Sequence, residues 1–149
     1  MRPLRKFEEF LEGDIIKRKT PDISRAKSLI KEAEKRKKFL NEMHKKIKVS
    51  DENANYFIEN VYDVIIELIR AKLLLEGFKS SGEGSHEAEV SYLRNLRFSE
   101  SDVRFMNQLR YFRNGIKYYG KHFDKEYAEK VLSFLVQAYA KLKELVKID

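Results

Sequence analysis

Val64-Ile65-Ile66-Glu67-Leu68-Ile69-Arg70-Ala71-Lys72-Leu73-Leu74-Leu75 is the longest apolar stretch in the chain, and three charges interrupt it. With Phe57 and Val61 upstream it leaves almost no polar side in the middle of a helix. Ser50-Asp51-Glu52 places acids where the positive end of the helix dipole favours them, and Gly77 suits the C-terminal stop. The pattern therefore predicts a helix from about residue 50 to 75. It is too short and too charged to span a bilayer. A helix this apolar all round is either central to a bundle or shared with a second subunit, and the second alternative predicts a homodimer.

Outward from that segment the apolar period stays helical, and strand-like alternation is nearly absent. Five or six helices are expected. Leu4, Phe7, Phe10, Leu11 and Ile15 share a face over residues 3–18, with Gly13 weakening its end. Thr20-Pro21 reads as a helix start. From there Ile23, Ala26, Ile30, Ala33, Leu40, Met43 and Ile47 recur at three- or four-residue steps to about residue 48. Lys79-Ser80-Ser81-Gly82-Glu83-Gly84 reads as a flexible loop, and Ser85 as the cap of a short helix to about Leu96. Ser99, with Asp102 three residues on, opens the next helix. Its buried side carries Phe105, Met106, Leu109, Phe112, Ile116 and Tyr119, and Gly120 suits its C-terminal cap. Asp124 caps a last helix with its stripe at Ala128, Val131, Leu135, Ala138, Leu142 and Leu145. The fold class is all-α, an antiparallel up-and-down bundle of four to five main helices plus a short extra one. At 149 residues the chain fits one domain spanning 1–149.

The formal charge is +7, and its distribution is uneven: residues 1–48 hold 16 basic and 8 acidic side chains, the remainder 15 and 16. The basic segment puts Lys27, Lys31, Lys35, Lys38 and Lys45 on the outer face of the second helix. The Lys31–Lys48 ridge reads either as an electrostatic nucleic-acid surface or as a solvated face with Glu32, Glu34 and Glu42 interleaved. An apolar fraction of 42% excludes a disordered chain. Without cysteine there is no disulfide, no thiolate zinc site and no cysteine nucleophile. His44, His86 and His122 are scattered, so no histidine-rich metal site is expected, and His44 and His86 read as surface residues. Met1-Arg2-Pro3-Leu4-Arg5-Lys6 leads into acidic residues rather than an apolar run, unlike a signal peptide. The expectation is a soluble cytoplasmic protein with no cofactor and no bound metal.

The densest polar cluster is Gln108-Leu109-Arg110-Tyr111-Phe112-Arg113-Asn114-Gly115-Ile116-Lys117-Tyr118-Tyr119-Gly120. Arg110, Arg113 and Lys117 stand at i, i+3 and i+7 and form a cationic ridge beside the apolar stripe, with Asn114 on the same surface. Tyr118 and Tyr119 add phenols at the helix end. Guanidiniums with tyrosines suit phosphate or RNA, because arginine binds phosphate bidentately and aromatic rings stack on bases. The same residues also fit a solvated helix face whose tyrosines seal the core edge. Glu67 and Arg70, at i and i+3, fit either an intrahelical ion pair or support for a cleft that orders Arg113. Asp63 has the same two readings.

Leu109–Gly120 resembles the signature region of the HEPN superfamily (higher eukaryotes and prokaryotes nucleotide-binding domains), whose mark is Arg, a polar residue that is often Asn, a few more residues and then His. Arg113 and Asn114 match it. Ser85-His86-Glu87-Ala88 and Glu126-Tyr127-Ala128 agree as openings of flanking helices, so the resemblance covers about residues 50–147. It implies an antiparallel helical bundle that dimerises with both motifs facing one cleft. It also implies metal-independent RNA cleavage with the ribose 2′-OH as nucleophile, and in several prokaryotic members a toxin–antitoxin pairing with a minimal nucleotidyltransferase that modifies a tyrosine near the motif.

The departure falls on the histidine. The positions where it is expected hold Tyr118, Tyr119 and Gly120, and His122 lies too far along; Arg113 and Tyr118 match an Arg–x4–Tyr variant. A phenol has a pKa of about 10 against about 6.5 for imidazole, which argues against a histidine-dependent ribonuclease and leaves Arg113 as a phosphate holder. In a catalytic version Arg113 stabilises the scissile phosphate, Asn114 orients the motif and Tyr118 replaces the histidine, while Arg110, Lys117 and Tyr119 bind RNA or nucleotide. In the other version the chain is a non-catalytic scaffold or substrate-binding subunit for the nucleotidyltransferase.

Overall fold

A computed structural model describes residues 1–148. Among them the elements run α1 (Phe7–Glu12), β1 (Ile16–Arg18), α2 (Ile23–Lys46), α3 (Ala54–Leu75), β2 (Phe78–Ser80), α4 (Ser85–Asn95), α5 (Glu100–Tyr119) and α6 (Lys125–Leu145). The chain is all-α apart from β1 and β2, which pair antiparallel with Lys17 opposite Lys79. No described helix is long and apolar enough to cross a membrane.

The apolar run on α3 is the axis of the bundle. Val61, Val64, Ile65, Leu68, Ile69 and Ala71 are all fully buried, because α2, α4, α5, α6 and β2 each pack against α3. One chain therefore covers the surface that would otherwise have called for a partner, so the apolarity of residues 57–75 is no argument for a dimer. Burying a side chain of this kind is worth about 1.5–3 kcal/mol, so α3 anchors the fold. An aromatic seam of Phe105, Phe112, Phe123, Tyr127 and Phe134, with neighbouring centroids 4.6–6.3 Å apart, joins α5 to α6. Asn55 near the start of α3 ties down the link between those two helices: its Nδ2 donates to the Lys121 carbonyl (2.9 Å) and its Oδ1 accepts from the Phe123 amide (3.0 Å).

Three of the expected boundaries hold because they rest on local hydrogen bonds. The Ser99 hydroxyl accepts from the Asp102 amide at 3.1 Å. Asp124 accepts from the Tyr127 amide at 2.9 Å. Gly120 closes α5 in the left-handed region, φ 64°. Other boundaries move. The helix expected over 3–18 stops at Glu12, because Gly13 and Asp14 (φ 61°) turn the chain and Ile16–Arg18 leaves to pair with β2. Asp22, not Thr20, caps α2 by accepting from the Arg25 amide. That helix ends at Lys46, leaving Ile23 and Ile47 exposed rather than on the buried stripe. Ser50–Asn53 forms a hydrogen-bonded turn ahead of α3. Lys79 and Ser80 belong to a strand, which shortens the expected loop, and Gly84 rather than Ser85 precedes α4 as its N-cap. Tyr119 is 77% exposed and off the core face.

Candidate functional site

A cleft of about 680 Å³ opens between the middle of α5, the Gly82–Gly84 turn that leads into α4, and the N-terminal segment. From α5 it receives Arg110, Arg113, Asn114 and Tyr118. These are four of the six motif residues singled out above; Lys117 and Tyr119 do not line it. The cationic ridge is therefore not a uniform solvated face. Arg113 turns inward and is 9% exposed. Arg110 is half-buried, with its Nε and Nη2 donating to Asn107 Oδ1 at 3.1 and 3.0 Å. Lys117 is exposed, its ammonium 6.0 Å from the centre of the Tyr118 ring.

Arg113 sits with its guanidinium carbon 5.1 Å from the centre of the Tyr62 ring. Its Nη2 lies 3.6 Å from Asp63 Oδ1, and its Nε is buried with no hydrogen-bond partner. Asp63 is thus the carboxylate on α3 that reaches the motif arginine; it also faces Arg36 of α2 at 3.9 Å. Neither Glu67 nor Arg70 supports the cleft directly, and they do not pair with each other. Glu67 pairs with Arg36, and its burial pushes its carboxyl above the usual range against the opposing pull of Arg36.

Arg70 points to α4, where Glu89 is fully buried. Arg70 Nε and Nη2 donate to that carboxylate at 2.7 and 3.0 Å, and the Ser80 hydroxyl donates at 2.7 Å. This three-element clasp holds β2 and α4 on α3. It sets the start of α4, and with it His86, one turn before Glu89.

His86 is the residue the sequence reading misplaced. It is half-buried and lines the cleft with Arg110 and Arg113. Its Nδ1 lies 3.0 Å from the hydroxyl of Tyr62, which is fully buried, and the two rings are near parallel, 11° apart, with centroids at 6.0 Å. Burial lowers the His86 pKa, and Arg70, Arg113 and Arg110 lower it further against the opposing pull of Glu89. Burial raises the Tyr62 pKa, with help from Glu89, so its phenol keeps its proton. The local signals for His86 are its place in the Ser85–Ala88 helix opening and the pair of glycines two residues apart just ahead of it, a pattern that also fits a flexible loop. Its tyrosine partner, 24 residues earlier, carried no signal.

Arg2 and Arg5 close the cleft on the N-terminal side. Arg5 is committed to Glu87, its Nη2 at 3.0 Å from Glu87 Oε1. That pair holds the Glu87 carboxyl below its usual range despite partial burial. The cleft arginines without a carboxylate partner among the described residues are therefore Arg110 and Arg2, while Arg113 faces Asp63 and keeps an unpartnered Nε. Among the described residues no group of three or more His, Asp or Glu side chains converges as a metal site. The basic face of α2 is exposed at Lys27, Lys31, Lys35, Lys38 and Lys45 and contributes nothing to the cleft.

The arrangement can hold an anion: two guanidiniums and an imidazole converge on one cavity with an amide side chain and a phenol at its edge. No family model matches the chain, and no curated protein or solved structure is significantly similar to it.

Proposed function

We propose that the protein binds RNA or a nucleotide through the phosphate in the cleft of Arg110, Arg113, Asn114 and Tyr118, as a HEPN-like member of a toxin–antitoxin or defence-type module. The observation that carries this reading is Arg113: its guanidinium lines an open cavity beside Arg110, and its Nε has no hydrogen-bond partner among the described residues, so the fold does not use all the donors of a group that suits phosphate. Arg110, Arg113, Asn114 and Tyr118 all line the cleft from one chain. Dimerisation rests on the resemblance alone, and sedimentation at micromolar concentration tests it.

Titration of a labelled single-stranded RNA and of AMP against wild type and Arg110→Gln tests binding. Arg110 is the better probe for a first variant, since its protein partner Asn107 is neutral and its loss strands no buried charge. The expected result is a roughly tenfold or greater loss, the scale of one charge-assisted contact. Equal affinity in the two proteins sinks the reading. Cleavage is tested separately, by incubation with RNA in EDTA beside Arg113→Lys; the same product pattern from both proteins removes the nuclease role.

A second reading, a scaffold or substrate for a minimal nucleotidyltransferase, is favoured by the exposure of Tyr118 (65%) and Tyr119 (77%) at the end of α5. Both phenols are open to a partner enzyme. Co-expression with such an enzyme should add the mass of a nucleotidyl group, and Tyr118→Phe combined with Tyr119→Phe should abolish it. An unmodified, separately eluting protein excludes this reading.

A further inference from the structure

The Gly82–Ser85 turn and the first turn of α4 bring features to the cleft that the phosphate reading above does not use. Gly82 and Gly84 have φ of 81° and 88°, the left-handed region in which a side chain is strained. Gly84 is the N-cap of α4 and offers no side-chain cap. The first-turn amides at His86 and Glu87 are therefore left to solvent or a ligand, at the positive end of an eleven-residue helix. Glycine-rich turns feeding a helix N-terminus are a common way to seat a phosphate. Here the second feature is Arg113, about nine-tenths buried, lining the same cavity: its Nη2 faces Asp63, but its Nε has no hydrogen-bond partner among the described residues.

The hydrogen bond to Tyr62 fixes the state in which His86 meets a ligand. The Tyr62 hydroxyl is fully buried, and its partner is His86 Nδ1. With the buried phenol donating to its one partner, Nδ1 accepts and the ring proton of the neutral imidazole is assigned to Nε2. His86 then offers the cleft an N–H donor and no lone pair. This is the wrong tautomer for a general base and the right one for holding an anionic oxygen.

We infer that the Gly82–Ser85 turn, the first turn of α4, the Nε2 of His86 and the guanidiniums of Arg110 and Arg113 form a seat for a terminal phosphate, a phosphomonoester carried by a mononucleotide or by the 5′ end of an RNA. The inference rests on the phosphate reading and narrows it. The cluster of donors suits a dianion with three free oxygens better than an internal phosphodiester with two. Of the two carboxylates at the rim, Glu87 is neutralised by Arg5 and Glu83 lies in the turn itself.

The test uses the full chain and four probes: AMP, adenosine, and one short RNA with either a 5′-phosphate or a 5′-hydroxyl. AMP and the 5′-phosphorylated RNA should bind roughly tenfold or more tightly than their unphosphorylated counterparts. AMP should also shift the backbone amide resonances of His86 and Glu87. His86→Phe, which keeps an aromatic ring and removes the donor, should erase most of the preference. His86→Gln should retain it, since its amide can accept from Tyr62 and still donate. AMP binding without a preference for phosphorylated RNA identifies the mononucleotide as the source, and the reverse identifies the RNA end. RNA binding that depends on Arg110 but ignores the 5′-phosphate overturns the seat and leaves the RNA reading standing. Absence of binding by all four probes overturns both.

Discussion

Replacing Arg70 should destabilise the protein far more than neutralising the carboxylate it holds. Glu89 is fully buried and accepts three hydrogen bonds, two from Arg70 and one from Ser80. Arg70→Met keeps most of the side-chain stem but removes two of those donors and the charge paired with Glu89. A buried ion left without its partner costs about 3–5 kcal/mol. Glu89→Gln works in the opposite sense. The amide still accepts from Ser80 or Arg70, and the Arg70 side chain is 29% exposed, so its cation can reach water; the expected cost is about 1–2 kcal/mol, a hydrogen bond to a charged group weakened to a neutral one. The double variant should cost clearly less than the two single costs combined, because the charge stranded by the first change is gone. Urea unfolding followed by circular dichroism at 222 nm, with wild-type slopes, measures all three. A loss under about 1 kcal/mol in Arg70→Met, or a larger loss in Glu89→Gln than in Arg70→Met, would refute the buried-clasp account of how α4 is held.

Acid sensitivity should trace in part to His86. Its pKa is lowered in the folded state, so the unfolded chain binds more protons, and the stability it contributes is present above about pH 6.5 and is lost as pH falls through the folded value. Between those limits His86→Gln should show a flatter dependence of the urea midpoint on pH than wild type, and parallel curves would contradict the burial of the neutral ring. Gly77→Ala should cost about 1–3 kcal/mol: φ is 83°, and a Cβ there would lie 2.7 Å from the Lys19 carbonyl oxygen. Thermal unfolding should show a clear drop in the midpoint, and an unchanged midpoint would mean that the crossing of residues 19 and 77 is looser than described.

The bundle was readable in the chain where its determinants are local. The α3 run needs only its own composition to announce burial, and the caps at Ser99, Asp124 and Gly120 act within three to five residues. The β1–β2 pair was not readable. Each strand is three residues long, too short for alternation to register, and its partner lies about 60 residues away. The motif on α5 was legible as chemistry but not as geometry. Spacing placed Arg110, Arg113 and Lys117 on one ridge, yet only the packing of Tyr62 and Asp63 decides that Arg113 turns inward while Lys117 stays out. Glu67 and Arg70 looked like a pair because they are neighbours on one helix; each is instead drawn to an opposite charge on another element, Arg36 and Glu89. His86 looked isolated for the same reason.

The short ladder between β1 and β2 has a bearing on how the molecule breathes. It ties the first twenty residues to the bundle, with Phe7, Phe10 and Ile16 inserted in the core and Lys17 and Arg18 exposed. The Arg5 contact to Glu87 spans 82 positions of sequence. Contacts of such high sequence separation carry a loop-closure entropy that slows folding. Undocking the segment would move Arg2 and Arg5 from the cleft only by exposing Phe7, Phe10 and Ile16. The wall of the cavity is thus rooted in the core, and the order of the cleft and the packing of the bundle should be lost together.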